Sequence, residues 1–291
     1  MTSRTRSLLM LLAPLPAMVV GVLLMRRNGV SSAIWGQQLG AGLTLAVIVA
    51  FWRIAGRSTA HSRGWMTTIA ASVAMLLLIS TLFHPGVEGV RRWVSLGPLQ
   101  LHAAFIALPV LIITLGEIVR RDVWRDSVWV LPGAAAVAAG VLVLQPDASQ
   151  AVAFAIATAI VLLQHRPARS GNRAAIGIVV AGALVALTRP DPLEAVPHVE
   201  GIIRLAAAAG ALWLVAAVFA LVLLPTPFIT NAARRRDRRG VSLGLAAYFG
   251  IVSIASLLAP YPVPLLGFGL SPILGYFAAL AWTVSRELHE S

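Results

Sequence analysis

Two adjacent arginines, Arg91 and Arg92, stand in a short polar stretch between apolar runs, beside Trp93 and ahead of the pair Gly97-Pro98. A guanidinium group offers a planar fork of N–H donors that matches phosphate oxygens. A tryptophan next to such charges is typical of the boundary between membrane and water. The stretch therefore predicts contact with an anionic ligand, although contact with ordinary lipid headgroups accounts for the same residue types.

Carboxylates are the second set of candidates, because a carboxylate near a reacting hydroxyl can accept its proton. The chain has 11 acidic residues, and five of them fall on the same predicted side of a membrane as the arginine pair. These five are Glu88, Asp147, Asp191, Glu194 and Glu200. Asp147 follows a proline and precedes an apolar run, so it also suits the N-cap of a helix.

Histidines raise the question of a metal site. His102 and His198 could join Asp147 and Glu200 around a metal ion if the connecting loops converge. Their spacing matches no metal signature, and the chain contains no cysteine. Isolated histidines at the membrane surface are the simpler interpretation, so we predict no metal ligand.

The elements that must position these residues are strongly apolar. Hydrophobic residues make up 58% of the 291 residues and charged residues 12%, with a mean hydropathy of +0.85. Such a composition excludes an ordinary soluble domain and indicates an integral membrane protein. We therefore predict an all-α fold, a polytopic transmembrane helix bundle that forms a single domain over residues 1–291.

Ten apolar runs of spanning or near-spanning length predict about ten transmembrane helices. They are Leu8–Met25, Trp35–Phe51, Met66–Phe83, His102–Val119, Val128–Leu144, Ser149–Leu163, Ala174–Thr188, Ile202–Leu224, Val241–Leu258 and Leu265–Trp282. Several breaks between runs carry residues that interrupt helices, as at Pro85-Gly86, Pro146, Pro190-Asp191-Pro192 and Pro225-Thr226-Pro227.

The basic residues predict the orientation of the bundle. All 23 are arginine, and the formal net charge is +12. If the N-terminus is cytoplasmic, 17 of the 23 arginines fall on the inner side, as the positive-inside rule requires. Their placement between apolar runs favours contact with anionic lipid over nucleic-acid binding. The run Arg234–Arg239 is best interpreted as an inner-face anchor, with docking of a cytoplasmic partner as the alternative.

The arginine stretch resembles a motif of the SEDS (FtsW/RodA-like) family of bacterial cell-wall assembly proteins. Gly89–Pro98 and Gln100 follow the family pattern Gly-x-x-Arg-Trp-x-x-Leu-Gly-Pro and the glutamine after it, between the third and fourth predicted helices. The next family residues, Pro-Ser-Glu, are replaced by Leu101, His102 and Ala103, and the usual lysine one turn later is Ile106.

Three further segments extend the resemblance along the chain. Leu144–Asp147 is similar to the beginning of the family segment Gln-Pro-Asp-Leu-Gly-Thr-Ala, and Tyr261–Pro272 to its Pro-Leu-Pro-Phe-x-Ser-Tyr-Gly-Gly-Ser-Ser. A weaker similarity covers Gln37–Gly42. Their order along the chain matches that of the family.

The outer loop of residues 188–201 is where the resemblance is weakest. The family carries its catalytic aspartate there, in a His-Thr-Asp-Phe-Ile-Phe segment, and the nearest counterpart in this chain is His198–Ile203. Glu200 would then stand in for the aspartate. The loop is much shorter than the family pattern and lacks its Gly-rich part.

The resemblance implies glycosyl transfer that polymerises the lipid-linked disaccharide precursor of peptidoglycan, in cell division or cell shape, at the bacterial cytoplasmic membrane. It makes Glu200 the catalytic base, with Asp191 as the substitute. It assigns Arg91 and Arg92 to the diphosphate, and Asp147 to ordering the site or holding a divalent cation. Substrate contacts are also expected from Trp93, Gln100 and His198.

Other functions remain open at this level. A transpeptidase of the penicillin-binding class is implied as a partner by the resemblance alone. The chain could instead be a catalytically silent relative that binds the polyprenyl-linked precursor or a partner protein. A small lipid-handling transporter is the third alternative, although the middle of the predicted spans carries no charge, which disfavours ion-coupled transport.

Overall fold

The computed structural model describes residues 9–55, 63–97, 99–121, 128–165 and 170–285. Some residues used in the sequence argument lie outside these ranges: Arg4, Arg6, Leu8, Arg57, Pro98, Arg125, Arg166, Arg169 and Arg286.

Helices dominate the described ranges, as predicted. The α-helices are α1 (Leu15–Arg27), α2 (Ser32–Ala55), α3 (Arg63–Ser80), α4 (Ala103–Arg121), α5 (Val130–Leu144), α6 (Ala148–His165), α7 (Ser170–Leu187), α8 (Ile202–Ala209), α9 (Ala211–Leu223), α10 (Thr226–Arg234), α11 (Arg239–Leu258) and α12 (Leu270–Ser285). Short 3₁₀ turns, Thr81–Phe83 and Arg236–Arg238, follow α3 and precede α11. Two strands, β1 (Trp93–Leu96) and β2 (Leu99–His102), stand between α3 and α4.

Seven helical segments in the described ranges are long and apolar enough to cross a membrane, and three shorter ones are apolar. Each of the ten apolar runs overlaps one of these segments. Many large apolar side chains face outward, including Leu212 and Leu258, each 81% exposed. Such exposure is costly in water but suits the hydrocarbon of a bilayer. The number of actual crossings and the orientation of the termini stay predictions.

The structure corrects the predicted eighth run, Ile202–Leu224, which is not one continuous helix. The chain breaks at Gly210, whose φ of 123° lies outside the helical region. A residue without Cβ adopts such an angle at little cost. The short helix α8 therefore ends before Gly210, and the long apolar segment Ala211–Arg234 follows it.

A second departure from an all-helical fold is a β-hairpin in the arginine stretch. Strands β1 and β2 pair antiparallel, with Trp93 opposite His102 and Leu96 opposite Leu99. The two-residue connection between Leu96 and Leu99 begins at Gly97, whose φ of 58° favours glycine. The hairpin brings His102 back beside the residues that precede β1.

The bundle is centred on α4, α6, α11 and α12. Helix α11 packs along α6, while α4 packs between α3 and α12. The crossing of α4 and α12 is close, because a Cβ on Gly275 would lie 1.9 Å from the carbonyl oxygen of Phe105. Buried aromatic rings fill the space between α10, α11 and α12, with Phe249 against both Phe228 and Tyr276. The close crossing of α4 and α12 lies near the beginnings of both helices, beside the contact between His102 and Ser271.

Candidate functional site

Polar residues from four connections meet at the end of the bundle that carries the hairpin. Arg92 precedes β1, His102 ends β2, Asp147 lies in the turn between α5 and α6, and Asp191 belongs to the loop after α7. The first three side chains are buried. Because a buried charge must be paired or hydrogen-bonded, their mutual contacts decide what the site can do.

Arg92 is the centre of this cluster and is only 3% exposed. Its Nε donates to the carbonyl oxygen of Gln145 at 3.1 Å, and one Nη donates to the carbonyl oxygen of Pro146. The same Nη lies 2.8 Å from the Asp191 carboxylate. Nε is also 4.0 Å from Oδ2 of Asp147. The guanidinium therefore joins the α5–α6 turn to the loop after α7.

Asp147 combines the two roles that the sequence suggested. Its Oδ1 accepts hydrogen bonds from the backbone N–H of Gln150 and the hydroxyl of Ser149, which is the geometry of an N-cap for α6. Burial alone would raise the pKa of Asp147, but contact with His102 and the positive charge of Arg92 outweigh it and hold the pKa below its usual value. Asp147 is therefore a buried, ionised carboxylate.

His102 lies against the other oxygen of Asp147, with Nε2 3.1 Å from Oδ2. Its ring is held edge-on between Trp93 and Phe105, at centroid distances of 5.8 and 5.0 Å. The backbone N–H of His102 donates to the hydroxyl of Ser271 at 2.7 Å. The ring is thus fixed by contacts from the hairpin, from α4 and from the start of α12.

Three further hydrogen bonds between buried polar side chains and other parts of the bundle surround the cluster. Gln38 of α2 is fully buried and donates to the carbonyl oxygen of Leu265, which precedes α12. Gln145 donates to Thr81 Oγ1 at the end of α3. Tyr248 of α11 donates to Oε1 of Gln150 at 2.5 Å. The four segments that resemble the family therefore meet at one end of the bundle.

The outer loop contributes Asp191 and Glu200 in different ways. Oδ1 of Asp191 accepts the backbone N–H of Leu193 at 3.3 Å, while Oδ2 binds Arg92. Oε2 of Glu200 accepts the backbone N–H of Val196 at 3.0 Å. Burial raises the pKa of Glu200, against the opposing effect of backbone hydrogen bonds and the charges of His102 and Arg92. Glu200 is therefore close enough to interact electrostatically with His102 and Arg92. Its carboxyl group holds a proton more readily than that of an exposed glutamate.

Of the other predicted site residues, Trp93 contacts the buried cluster, whereas Arg91 and Gln100 are exposed outside it. Arg91 is exposed and donates to the carbonyl oxygen of Leu82, away from the buried contacts of Arg92. Gln100 is exposed on β2 opposite Ser95, so the structure does not bring it into the cluster. Trp93 packs on His102.

His198 lies on the Glu200 side of the cluster. Its ring contacts Phe268 at a centroid distance of 6.2 Å, and its carbonyl oxygen accepts the N–H of Phe268. Burial lowers the pKa of His198, which favours the neutral ring. Within the described ranges no three His, Asp or Glu side chains come together as metal ligands. The convergence of His102, His198, Asp147 and Glu200 around a metal ion, which the sequence left open, is therefore not formed.

The opposite end of the bundle holds a second charged cluster. Glu117 of α4 is 2% exposed, and it pairs with Arg120 at 2.8 Å, with Arg121 at 3.5 Å and with Arg238 at 3.8 Å. Arg238 also lies over the ring of Trp282. The run Arg234–Arg239 is therefore more than a lipid anchor. Its member Arg238 is buried in the bundle, where it contacts Glu117 of α4 and Trp282 of α12.

Sequence reasoning missed several members of the site. His102 entered the sequence argument as a possible metal ligand, as an isolated surface histidine and as a replacement within the family motif, and no role was given to Thr81, Gln150 or Tyr248. The available signal was polarity inside apolar runs: a glutamine at the start of one run and a tyrosine in the middle of another. Buried polar side chains of this kind must find partners.

Comparison with known proteins supplies a family and a fold. Residues 5–190 match the family model of FtsW, RodA and SpoVE, which is described as "Cell cycle protein". No curated protein sequence matches the chain.

Solved structures with the same fold are more distant in sequence. The rod shape determining protein RodA of Thermus thermophilus is 20% identical, with a TM-score of 0.67 over 97% of each chain. A chain from a structure titled "Structural coordination of polymerization and crosslinking by a peptidoglycan synthase complex" is 19% identical, with a TM-score of 0.69 over 97% of this chain and 98% of its own length. At these identities the likeness concerns the fold, and function has to be argued from the site.

Proposed function

Because the chain belongs to the FtsW/RodA/SpoVE family of cell cycle proteins, we propose that it is a peptidoglycan glycosyltransferase that polymerises a lipid-linked disaccharide precursor. The observation that carries this proposal is the joining of Asp147, Asp191 and Arg92 beside Glu200 at one end of an apolar bundle. A lipid-linked sugar diphosphate presents its reacting atoms at such an end while its chain stays in the bilayer.

The reaction requires a base and a stabiliser of the departing diphosphate. The acceptor hydroxyl attacks the anomeric carbon of the donor, the bond from that carbon to the diphosphate oxygen breaks, and the base takes the hydroxyl proton. Glu200 is our candidate base, because burial raises its pKa toward the range in which a carboxylate accepts a proton efficiently.

Asp191 is a weaker candidate for the base than Glu200. Its Oδ2 is 2.8 Å from Arg92, so this oxygen is already occupied by a guanidinium N–H donor. We assign Asp191 instead to holding the outer loop over the site. Asp147, which caps α6 and contacts His102, orders the site from the opposite side.

Contacts with the substrate divide between the two arginines. Nε and one Nη of Arg92 are already bonded to two backbone carbonyl oxygens and to the Asp191 carboxylate. Arg91 is exposed beside it and can reach a phosphate at the membrane surface. We therefore propose Arg91 as the arginine that contacts the diphosphate directly. Trp93, Gln100 and His198 remain proposed substrate contacts, and a divalent cation would need ligands from the substrate itself.

The membrane arrangement follows from the same proposal. In the described ranges, seven helical segments long enough to cross a membrane and three shorter apolar ones support ten crossings. We propose that they form a single domain with both termini inside, on the distribution of the arginines. The site then lies on the outer face of the bacterial cytoplasmic membrane. A penicillin-binding-type transpeptidase is the proposed partner, because one solved structure with this fold comes from a peptidoglycan synthase complex.

A second candidate function is binding of the precursor or of a partner without turnover. The observation that favours it is the short loop between α7 and α8, which is tied down by Asp191 and leaves few residues to close over a reacting sugar. An open site admits water and lowers the rate of group transfer.

A reconstituted polymerisation assay tests the proposal. The purified full chain is placed in lipid vesicles with lipid-linked precursor, with and without the candidate transpeptidase, and the glycan chains are separated by length. We expect polymer from the wild type and a loss of about a hundredfold or more in Glu200→Gln, since removal of a general base costs on the order of 10²–10⁴. The matched control is Glu194→Gln, which changes an exposed acid of the same loop.

The outcomes separate the alternatives. Polymer that survives Glu200→Gln at the wild-type rate would exclude Glu200 as the base. Absence of polymer from the wild type, together with precursor binding that weakens in Arg91→Ala, would favour the silent relative. Absence of both polymer and binding would exclude both functions.

A further inference from the structure

A cavity of about 560 Å³ lies between helices α3, α4, α5, α6 and α7. Its floor is formed by buried residues of α4 and α6, such as Ile118 and Phe154. On either side, Leu76 of α3 and Val137 of α5 are 64% and 43% exposed. The cavity is therefore a groove that opens between α3 and α5, and we call it the lateral groove. Because protein interiors leave few voids larger than a water molecule, a gap of this size is space for another molecule.

The lining of the lateral groove suits a hydrocarbon chain. Apart from the hydroxyls of Ser72, Thr114 and Thr158, the side chains that line it are apolar. Apolar cavities stay dry and accept apolar guests. Helices α3 and α4 belong to segments long and apolar enough to cross a membrane, so the opening of the groove faces the hydrocarbon of the bilayer. We therefore expect an alkyl chain in the groove rather than water.

The lateral groove runs toward the end of the bundle that holds the charged cluster around Glu117. Thr114 and Ile118 of α4 line the groove, and Arg121 follows Ile118 by three residues. Positions i, i+4 and i+7 share one face of a helix. Arg121 therefore lies on the groove side of α4, about 4.5 Å farther along the helix axis than Ile118. An apolar groove that ends beside a guanidinium group has the two parts of a lipid site, one for a chain and one for a headgroup.

The cluster around Glu117 keeps positive charge for a ligand. Within the described residues, the ion pairs of its three arginines use two carboxylates: Arg120, Arg121 and Arg238 pair with Glu117, and Arg238 also pairs with Asp237. The side chains of Arg120 and Arg121 are 34% and 28% exposed, so a ligand can reach them from the membrane surface. Nε of Arg121 lies 3.5 Å from Glu117 and forms no hydrogen bond in the described part of the chain. Arginine matches phosphate oxygens, and basic pockets between membrane helices bind anionic headgroups.

We propose that the lateral groove and the two exposed arginines form a binding site for one anionic phospholipid of the bilayer. One acyl chain fills the groove, and the phosphate binds Arg120 and Arg121. A transmembrane helix of another protein is the other apolar occupant, but such a helix gives the arginines at the end of the groove no anion. The site lies at the end of the bundle opposite to Arg92 and Asp147, so this inference is independent of the proposed glycosyl transfer.

Native mass spectrometry of the purified full chain in an uncharged detergent tests the site. Dioleoyl phosphatidylglycerol and dioleoyl phosphatidylcholine carry the same chains and differ in the charge of the headgroup. The wild type should retain one phosphatidylglycerol with about tenfold higher affinity than phosphatidylcholine, the typical worth of one charge-assisted hydrogen bond. Glycerol 3-phosphate, which has the phosphate without a chain, should not displace the lipid at equal concentration.

Two glycines of α5 provide a matched pair of variants for the groove. Gly133 and Gly140 are both exposed, and a Cβ on either would meet nothing within 4 Å. Gly133 lines the lateral groove, whereas Gly140 is not among its lining residues. Gly133→Phe should weaken the binding of both lipids by about tenfold, the loss of roughly ten close carbon contacts. Gly140→Phe should retain the wild-type affinities, and equal effects of the two substitutions would overturn the proposal.

A second pair of variants tests the headgroup. Arg121→Gln should remove the preference for phosphatidylglycerol and leave the affinity for phosphatidylcholine unchanged, because only the charged contact is lost. Arg234→Gln removes the same charge from an exposed position and should keep the preference.

The remaining outcomes need only the wild type, so they hold even where a variant does not fold. Equal affinity for the two lipids would overturn the proposal, because the arginines would then contribute nothing. Displacement by glycerol 3-phosphate would assign the arginines to a free phosphate and also overturn it. Absence of any retained lipid would leave the groove to a helix of a partner protein and exclude the lipid site.

Discussion

The guanidinium of Arg92 and the carboxylate of Asp191 lie 2.8 Å apart, across 99 positions of the sequence. This contact closes the loop after α7 onto the end of the bundle that carries the hairpin. Arg92 is buried, whereas the Asp191 side chain keeps 26% of its surface. Arg92 is therefore a structural centre of the site, which supports the proposal that Arg91 rather than Arg92 contacts the substrate.

The two arginines should differ sharply when each is changed to alanine. Arg92→Ala leaves Asp147 buried beside two backbone carbonyl oxygens that have lost their donor. We expect the free energy of unfolding to fall by about 3 kcal/mol, the usual cost of breaking a buried ion pair from one side. Arg91→Ala removes an exposed side chain and should cost about 0.5 kcal/mol or less.

Denaturant unfolding of both variants in the same detergent measures this difference. Equal destabilisation by Arg91→Ala and Arg92→Ala would mean that the buried contacts of Arg92 do not stabilise the fold more than the exposed side chain of Arg91 does. Arg91→Ala should instead act on affinity for the lipid-linked precursor, which is measured on the same preparation.

The polymerisation rate should fall on the acid side at an unusually high pH. A base must be ionised to accept a proton, so activity is lost as pH falls through the pKa of Glu200. Burial raises that pKa above the ordinary value of 4.5, and the midpoint of the acid limb should therefore lie above 4.5. Initial rates between about pH 4 and pH 8 give the midpoint. Glu194→Gln should leave the profile unchanged, and an acid limb that persists in Glu200→Gln would assign it to another group.

The sequence predicted the helices well because apolar runs long enough to span a bilayer have few alternative structures. It also predicted that Asp147 caps a helix, since that role depends only on neighbouring residues. It could not decide between Arg91 and Arg92. Adjacent residues of an extended chain point to opposite sides, and which side is buried depends on packing that a single sequence does not reveal.

The contact between His102 and Asp147 and the helix break at Gly210 could not be predicted from the sequence either, because both depend on packing between distant parts of the chain. His102 meets Asp147 because the hairpin returns the chain to its starting point, and each strand has only four residues, too few for a sequence pattern to indicate a strand. The break at Gly210 was hidden in an apolar run, since glycine is common within membrane helices. The length of the run alone favoured one continuous span.

Cysteine labelling should locate the hairpin and the arginine run on opposite faces of the membrane. The chain has no cysteine, so a single introduced thiol gives a clean signal. Ser95→Cys on exposed β1 should react with an impermeant reagent in intact cells, and Arg236→Cys only after permeabilisation. Labelling of both sites from outside would contradict the predicted orientation. Gln100→Cys, opposite Ser95 on the hairpin, is the matched check.

The inner cluster should make one arginine of the run Arg234–Arg239 essential for stability. Arg238 is buried against Glu117 and Trp282, whereas Arg236 is exposed. Arg238→Gln should lower the unfolding free energy by about 2 kcal/mol, because Glu117 loses a partner and the Trp282 ring loses its cation. Arg236→Gln removes the same charge from the same turn and should change it by about 0.5 kcal/mol or less. Equal effects would restore the simple interpretation of the run as a lipid anchor.

The crossing of α4 and α12 should tolerate no side chain at Gly275. A Cβ there would lie 1.9 Å from the carbonyl oxygen of Phe105, so Gly275→Ala must push the helices apart. We expect a loss of about 1–3 kcal/mol in unfolding free energy from overpacking. Because the bond from His102 N–H to Ser271 joins the residue before α4 to the start of α12, binding of the lipid-linked precursor should weaken as well.

Gly250 on α11 provides the control for this last change. A Cβ at Gly250 would meet nothing within 4 Å, so Gly250→Ala should stabilise the protein by about 0.5–1 kcal/mol, the helix-propensity difference between the two residues. Opposite signs for the two substitutions, measured by denaturant unfolding, would show that close helix approach fixes the outer site. If Gly275→Ala were also stabilising, helices α4 and α12 could not be in contact at Phe105, and the position of His102 would lose its support.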